Sequence, residues 1–256
     1  MISRYEVTLD GVALSSVHDQ LMILDVQHSP GQRQATTARK AKGNGVYITD
    51  LYQAQTTVSV VFELHIYDIR ERQRICQDIA SKAMQCKILQ TSDRPGQQLH
   101  VICDQPPTIE SAQQWTTPIT MTFSAYSLPF WEESVPASIA LSGTSKTGSF
   151  FVPGNAGETF VDVEVTAPSG MSSLTISVGS TTIALTELSV AAGGVVKMTH
   201  DENGILSIKN GNTSLLSHRT AASSDDLLVI SGKQNNVSIR ANKAVSCNFK
   251  ARGVWL

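Results

Sequence analysis

Read from its start, the chain lays down short apolar-polar alternations broken by turn residues. Tyr5-Glu6-Val7-Thr8-Leu9 alternates like a half-buried strand and meets Asp10-Gly11, a two-residue turn signal, so a first hairpin is expected. Leu21 to Val26 reads as a buried strand. Val46 to Tyr52 and the β-branched run Gln55 to Ile66 read as two more. From Asp68 to Gln85 the period changes. Ile69, Ile75, Cys76, Ile79, Ala80 and Ala83 form one stripe at helical spacing, with Arg70, Glu71, Arg74 and Asp78 on the opposite side and Asp68 placed to cap the first turn. Strands resume at Lys87 to Gln90, Leu99 to Cys103 and Ile119 to Tyr126, with a turn at Asp93-Arg94-Pro95-Gly96.

Beyond Ser134-Val135-Pro136 the pattern is strands alone. Short runs such as Phe160 to Val165, Ser173 to Val178, Val195 to Met198, Asn236 to Arg240 and Val245 to Lys250 recur roughly every 8 to 12 residues between Gly, Asn and Ser turns, which is the mark of a sandwich or jelly roll. Ser138 to Leu141 and Ser149 to Val152 read as two separate strands, and Asp201-Glu202-Asn203-Gly204 as a hairpin turn. All five tyrosines and two of the three tryptophans precede this point, so two domains are expected, 1-134 and 135-256.

One segment fits no element. His28 to Gly45 is polar, basic and longer than an ordinary connection. Three readings are open: a solvated surface loop, an arm or β-extension that reaches a neighbouring subunit, and, weakest, a phosphate contact through Arg33, Arg39, Lys40 and Lys42. The last lacks the interleaved aromatic residues that would stack bases.

Composition narrows the function more than the fold. The 256 residues carry 20 Lys and Arg against 22 Asp and Glu, a net charge of -2, and only 16% are charged. An average soluble domain has about 25%. No global field recruits nucleic acid or an anionic membrane, and any partner must be met by shape. No apolar run reaches the roughly 20 residues of a membrane-spanning helix, and Met1-Ile2-Ser3-Arg4-Tyr5-Glu6 shows no secretory signal, so the chain is expected in the cytosol at first. Cys76, Cys86, Cys103 and Cys247 have no metal or redox spacing and read as small core residues. The Asn212 and Asn236 sequons read as chance matches.

Catalytic signatures are missing from the sequence. The histidines are scattered and none belongs to HExxH, and GxSxG, GxGxxG and GxxxxGK[ST] do not occur. The acidic pairs Glu132-Glu133, Asp201-Glu202 and Asp225-Asp226 point oppositely in extended chain and cannot each straddle a scissile bond. No catalytic, cofactor or metal residue is therefore assigned. A sugar-binding role needs exposed aromatic rings. Phe150, Phe151, Phe160 and Phe249 sit in strand patterns and read as core, which leaves Trp255 for exposure or docking.

The ordered features together resemble the distal tail protein family of long-tailed phages, the siphovirus tail component or baseplate hub family. They begin with the strand Thr57 to Phe62, then Asp68-Ile69-Arg70-Glu71-Arg72 and its helix, then Leu89 to Gly96, the strand ending Thr122-Phe123-Ser124-Ala125, and the aromatic segment Ser127-Leu128-Pro129-Phe130-Trp131-Glu132. Later come Leu227-Leu228-Val229-Ile230-Ser231-Gly232-Lys233-Gln234-Asn235-Asn236-Val237-Ser238-Ile239 and the terminal Lys250 to Trp255. The family turn commonly has Pro where Ser231 stands.

The resemblance implies a mainly β fold: an N-terminal β-sandwich with one flanking α-helix, related to tail-tube folds, and a C-terminal jelly roll of the galectin or carbohydrate-module type. It implies a non-enzymatic hub without cofactor, six copies of which form a ring. The expected partners are the tail tube protein, the tail tip or tail-associated hub protein and the tape measure protein, with a receptor-binding protein or host glycan at the periphery and DNA only in transit. The expected place is the virion tail tip, after assembly in the bacterial cytoplasm. Inter-subunit contacts are expected at Arg33, Arg39, Lys40, Lys42, Phe130, Trp131 and Trp255. A lectin-like module for host-surface glycan is the alternative, and a virion-associated glycan hydrolase ranks behind it.

Overall fold

The computed structural model describes residues 5–39, 46–109, 116–126, 128–201 and 204–256, with the backbone alone at 33, 39, 46, 47, 51 and 52. It is mainly β, with one α-helix, and divides into two compact units, Met1–Trp131 and Glu132–Leu256.

In the first unit Asp10-Gly11 joins β1 (Val7–Leu9) to β2 (Val12–Ala13), with Leu9 opposite Val12. Asp10 has positive φ, and its carboxylate accepts the backbone N–H groups of Lys87 and Ile88, tying this turn to the start of a later strand. The chain continues through β3 (Leu21–Ser29), β4 (Arg33–Arg39), β5 (Val46–Gln53), β6 (Thr57–Leu64), α1 (Ile69–Gln85), β7 (Ile88–Thr91), β8 (Gln97–Gln105) and β9 (Ile119–Ala125). Seven strands pair antiparallel along the path β2-β1-β7-β8-β9-β6-β3. Strict alternation on β6 buries Val58, Val60, Phe62 and Leu64.

Helix α1 lies against β8 and buries Ile75, Cys76, Ile79 and Ala83, while Arg70, Glu71, Arg74 and Asp78 stay exposed. Asp68 caps it, accepting from the Arg70 and Glu71 N–H groups. Arg72 is buried too, although the stripe alone places no charge there.

The strand β10 (Trp131–Glu133) straddles the junction between the units. The residues just after this division are bonded to the end of the chain. Glu133 N–H donates to the Gly253 carbonyl at 2.8 Å, and Arg252 Nη1 donates to the carbonyls of both Glu133 and Ser134. Glu132 to Ser134 thus belong with the C-terminus.

The second unit contains β11 (Ala137–Val152), β12 (Glu158–Ala167), β13 (Leu174–Val178), β14 (Thr181–Leu185), β15 (Gly194–His200), β16 (Leu206–Asn210), β17 (Thr213–Ser214), β18 (Leu228–Ile230), β19 (Lys233–Ala251) and β20 (Val254–Trp255). Its antiparallel sheet runs β14-β13-β19-β12-β15-β16-β17, with β11 on β19 and β18 on β12. The two strands expected within 138–152 are one long strand, β11, paired with β19 from Ala137↔Ala251 to Val152↔Lys233 through an irregularity between Gly143 and Ser145. β11 doubles over its own first half: a Cβ on Gly148 would stand 2.8 Å from Leu141 Cδ2 and 3.0 Å from Ile139 Cδ1. Two layers therefore face each other across a core that includes Phe150, Val163, Val165, Ile176, Met198 and Phe249.

Candidate functional site

Of the segment His28 to Gly45, the described residues 28–39 are largely strand. β3 continues to Ser29, and β4 pairs with β5 from Arg33↔Gln53 to Arg39↔Val46, with a register shift between Thr36 and Thr37. These two strands form a sheet of their own. At its base Ala54 N–H donates to the Gln32 carbonyl at 2.9 Å and Gln53 Nε2 to the Gly31 carbonyl at 2.8 Å. Only glycine fits at 31, because a Cβ there would stand 1.6 Å from the Ala54 carbonyl oxygen.

The side chains described on this hairpin are largely exposed. Residues 34–38 and 48–50 are exposed, and Ile48 keeps 65% of its surface. A lone two-stranded ribbon is marginal in water. Its few cross-strand helpers, such as the Thr49 hydroxyl donating to the Thr36 carbonyl at 3.0 Å, do not replace a packed face. The arrangement offers backbone edges and an apolar side chain to something outside the unit.

Arg33 and Arg39 stand at the two ends of β4, their side chains outside the described residues, and Lys40 and Lys42 lie wholly outside them. Phe130 is half-buried. Trp131, expected at a subunit contact, is 1% exposed: it packs edge-on to His28 at 5.2 Å between ring centroids, with the Arg94 guanidinium 5.2 Å over its ring. Trp255 is half-buried, and its Nε1 donates to Glu133 Oε1 at 2.8 Å, within its own unit.

Titratable groups sit in pairs. His28 Nε2 lies 2.6 Å from Asp93 Oδ2 and His65 Nε2 2.7 Å from Glu63 Oε2. His200, stacked on Phe160 at 4.3 Å, has its ring nitrogens 3.5 and 3.4 Å from Asp162 and Asp226. Among the acidic pairs, Asp225 meets Arg219 at 2.9 Å, Asp226 faces His200, and Asp201 accepts the Ile205 N–H at the turn; Glu202 lies outside the described residues. Among the described residues no three His, Cys, Asp or Glu side chains converge as metal ligands. Burial pushes the Cys76 thiol up to about 11 and those of Cys86 and Cys247 to about 12, so they stay protonated at neutral pH and act as core atoms rather than nucleophiles. No helix among the described residues is long and apolar enough to cross a membrane.

Comparison by sequence finds no matching protein-family model and no similar curated protein. Comparison by fold is informative. The chain is similar over 97% of its length to 98% of the SPP1 Dit protein, described as a paradigm of the hub adsorption apparatus in phages that infect Gram-positive bacteria, with a TM-score of 0.72 at 12% identity. It is also similar over 99% of its length to 98% of a chain of the phage P2 baseplate in its activated conformation with Ca, with a TM-score of 0.50 at 11% identity. At such identities the likeness is one of fold, and the chain has the fold of these phage hub and baseplate proteins.

Proposed function

We propose that the chain is a structural distal tail protein of a long-tailed phage or phage-like particle, six copies of which close into a ring between the tail tube and the tail tip. The tube protein stacks on one side of the ring and the tip hub protein on the other. The tape measure protein and DNA pass through its channel, and the second unit lies at the periphery, toward receptor-binding proteins. The function is mechanical, without covalent chemistry.

The observation that carries this reading, beside the fold, is the unpartnered β4–β5 hairpin. A ring needs a heterologous contact, one patch of each subunit meeting a different patch of the next. A ribbon with an exposed Ile48, whose edges pair with no other strand among the described residues, supplies one half of such a contact. Near-neutrality at a net charge of -2 suits copies of one chain that meet through shape.

Mass photometry and negative-stain imaging of the full chain test this directly, with a six-fold ring as the expected result. Replacing residues 33–53 by a two-residue turn is sterically simple, because Gln32 and Ala54 already touch through a 2.9 Å hydrogen bond. The replacement should leave a folded monomer. A wild-type protein that stays monomeric at tens of micromolar, or a hairpin-less variant that still closes rings, overturns the assignment.

A further inference from the structure

We propose that a cleft beside β2 in the first unit receives the β4–β5 hairpin of a second copy of this chain, with Ile48 as the side chain that enters it. This pairing rests on the ring assignment above, in which each hairpin needs a receiving patch on the next subunit. The cleft, of about 160 Å³, lies between the β1–β2 region and the last turns of α1. Leu9 and Leu14, both buried, form its floor. Val12, 46% exposed, and Val17 stand on one wall, and Lys82 and Gln85 on the other. Past Val12 it widens into a more open, polar groove that adds Ser16, Asp78 and Ser81.

The hairpin cannot reach the cleft of its own chain. Val17, on the cleft wall, stands shortly before the start of β3 at Leu21, and the hairpin leaves from the other end of β3, beyond Ser29. The 9 residues of that strand set these ends about 30 Å apart, at roughly 3.3 Å per residue. Ile48 pairs with Thr37, which lies only about 20 Å along the ribbon from Gly31 at the same rise. An Ile48 that fills the cleft therefore comes from another copy, and cyclic repetition lets every copy give one hairpin and receive one.

The two surfaces match in kind. Among the hairpin's described side chains Ile48 is the one large hydrophobe, and the Thr37 methyl group lies across from it. Leu9, Val12, Leu14 and Val17 offer it aliphatic contacts in place of water. The charges match as well. Residues 5–20, which supply the floor and one wall, include Glu6, Asp10 and Asp19 and no Lys or Arg, whereas residues 33–53 carry Arg33, Arg39, Lys40 and Lys42 against Asp50. The helix wall is mixed, with Asp78 and Lys82. Opposite signs orient the approach of the two segments, and the apolar seat fixes where it ends.

Mass photometry of full-length variants reads this contact. Val12→Lys places a cation at the cleft mouth, against a basic hairpin, and should leave the chain monomeric at concentrations where the wild type forms rings. Val12 lies on the surface, so the unfolding midpoint should move by less than about 2 °C. Ile48→Ala should raise the protein concentration needed for half-assembly by about tenfold. Phe151→Ala, which removes a ring that the sequence reads as core but that is 55% exposed in the second unit, should close rings as the wild type does. Oxidation of the double variant Val12→Cys, Ile48→Cys should give a ladder of covalent oligomers on denaturing gels that neither single variant gives; the buried Cys76, Cys86 and Cys247 are common to all three. Rings from Val12→Lys, or rings of the double variant without the ladder, overturn the cleft as the seat of the hairpin and leave the ring assignment standing. A wild-type protein that forms no ring overturns both.

Discussion

At Gly31 a single missing side chain fixes how the hairpin leaves the sheet. A methyl group there would lie 1.6 Å from the Ala54 carbonyl oxygen and 2.4 Å from its carbon. Both are backbone atoms, so relief requires the two strands to part and the Gln32–Ala54 hydrogen bond to break. Gly31→Ala should therefore abolish rings in mass photometry, while the unfolding midpoint falls by less than about 4 °C, because the side chains described on the hairpin, 34–38 and 48–50, are exposed. Wild-type ring yields from this variant would dissociate the hairpin's geometry from assembly. Individual aromatic residues were the least legible part of the sequence. Phe151 obeys the strand pattern that makes Phe150 core but has the opposite parity, and only the register of β11 on β19 decides which neighbour points inward. Trp131, in an aromatic segment next to charges, looks like a surface anchor, yet its interior place depends on His28 and Arg94, distant in sequence.

Elements with their own periodicity are legible in the sequence. The α1 stripe, its exposed face and its Asp68 cap all follow from local spacing, and the cap is quantitatively testable. Asp68 satisfies the Arg70 and Glu71 N–H groups at 2.8 and 3.4 Å. Asp68→Ala should cost about 1 kcal/mol, read as a midpoint lowered by about 2–4 °C in calorimetry, with Asp68→Ser restoring most of it. An unchanged midpoint in the alanine variant would mean that packing of the helix on β8 fixes its first turn without the cap. Two kinds of element escaped the same reasoning. β4, Arg-Gln-Ala-Thr-Thr-Ala-Arg, has no apolar alternation because it has no core to face, so its strand character is set by pairing with β5 alone. In sequence β11 and β19 each look like two strands because Gly and polar residues at their middles imitate turns; they mark instead where a long strand pair bends from one layer to the other.

For the molecule as a whole, two units with separate cores explain both the length and the texture change near Ser134. The second unit's main apolar cluster, Phe150 to Ala251, draws on its own residues only. That cluster is large enough for a domain of ordinary size to fold alone, so fragment 132–256 should unfold cooperatively in isolation. The boundary itself is testable. Within this unit Glu133 accepts from Trp255 Nε1 at 2.8 Å and donates its N–H to Gly253, and the Glu133 and Ser134 carbonyls share Arg252. A fragment begun at residue 137 forfeits these four hydrogen bonds and leaves the half-buried Arg252 guanidinium without those carbonyls, a loss of about 2–4 kcal/mol. Its midpoint in urea should fall well below that of 132–256 with an unchanged slope, since nearly the same surface is exposed on unfolding. Equal midpoints would show that Glu132 to Ser134 are a passive linker, and that the C-terminal Arg252 and Trp255 hold the second unit together without them.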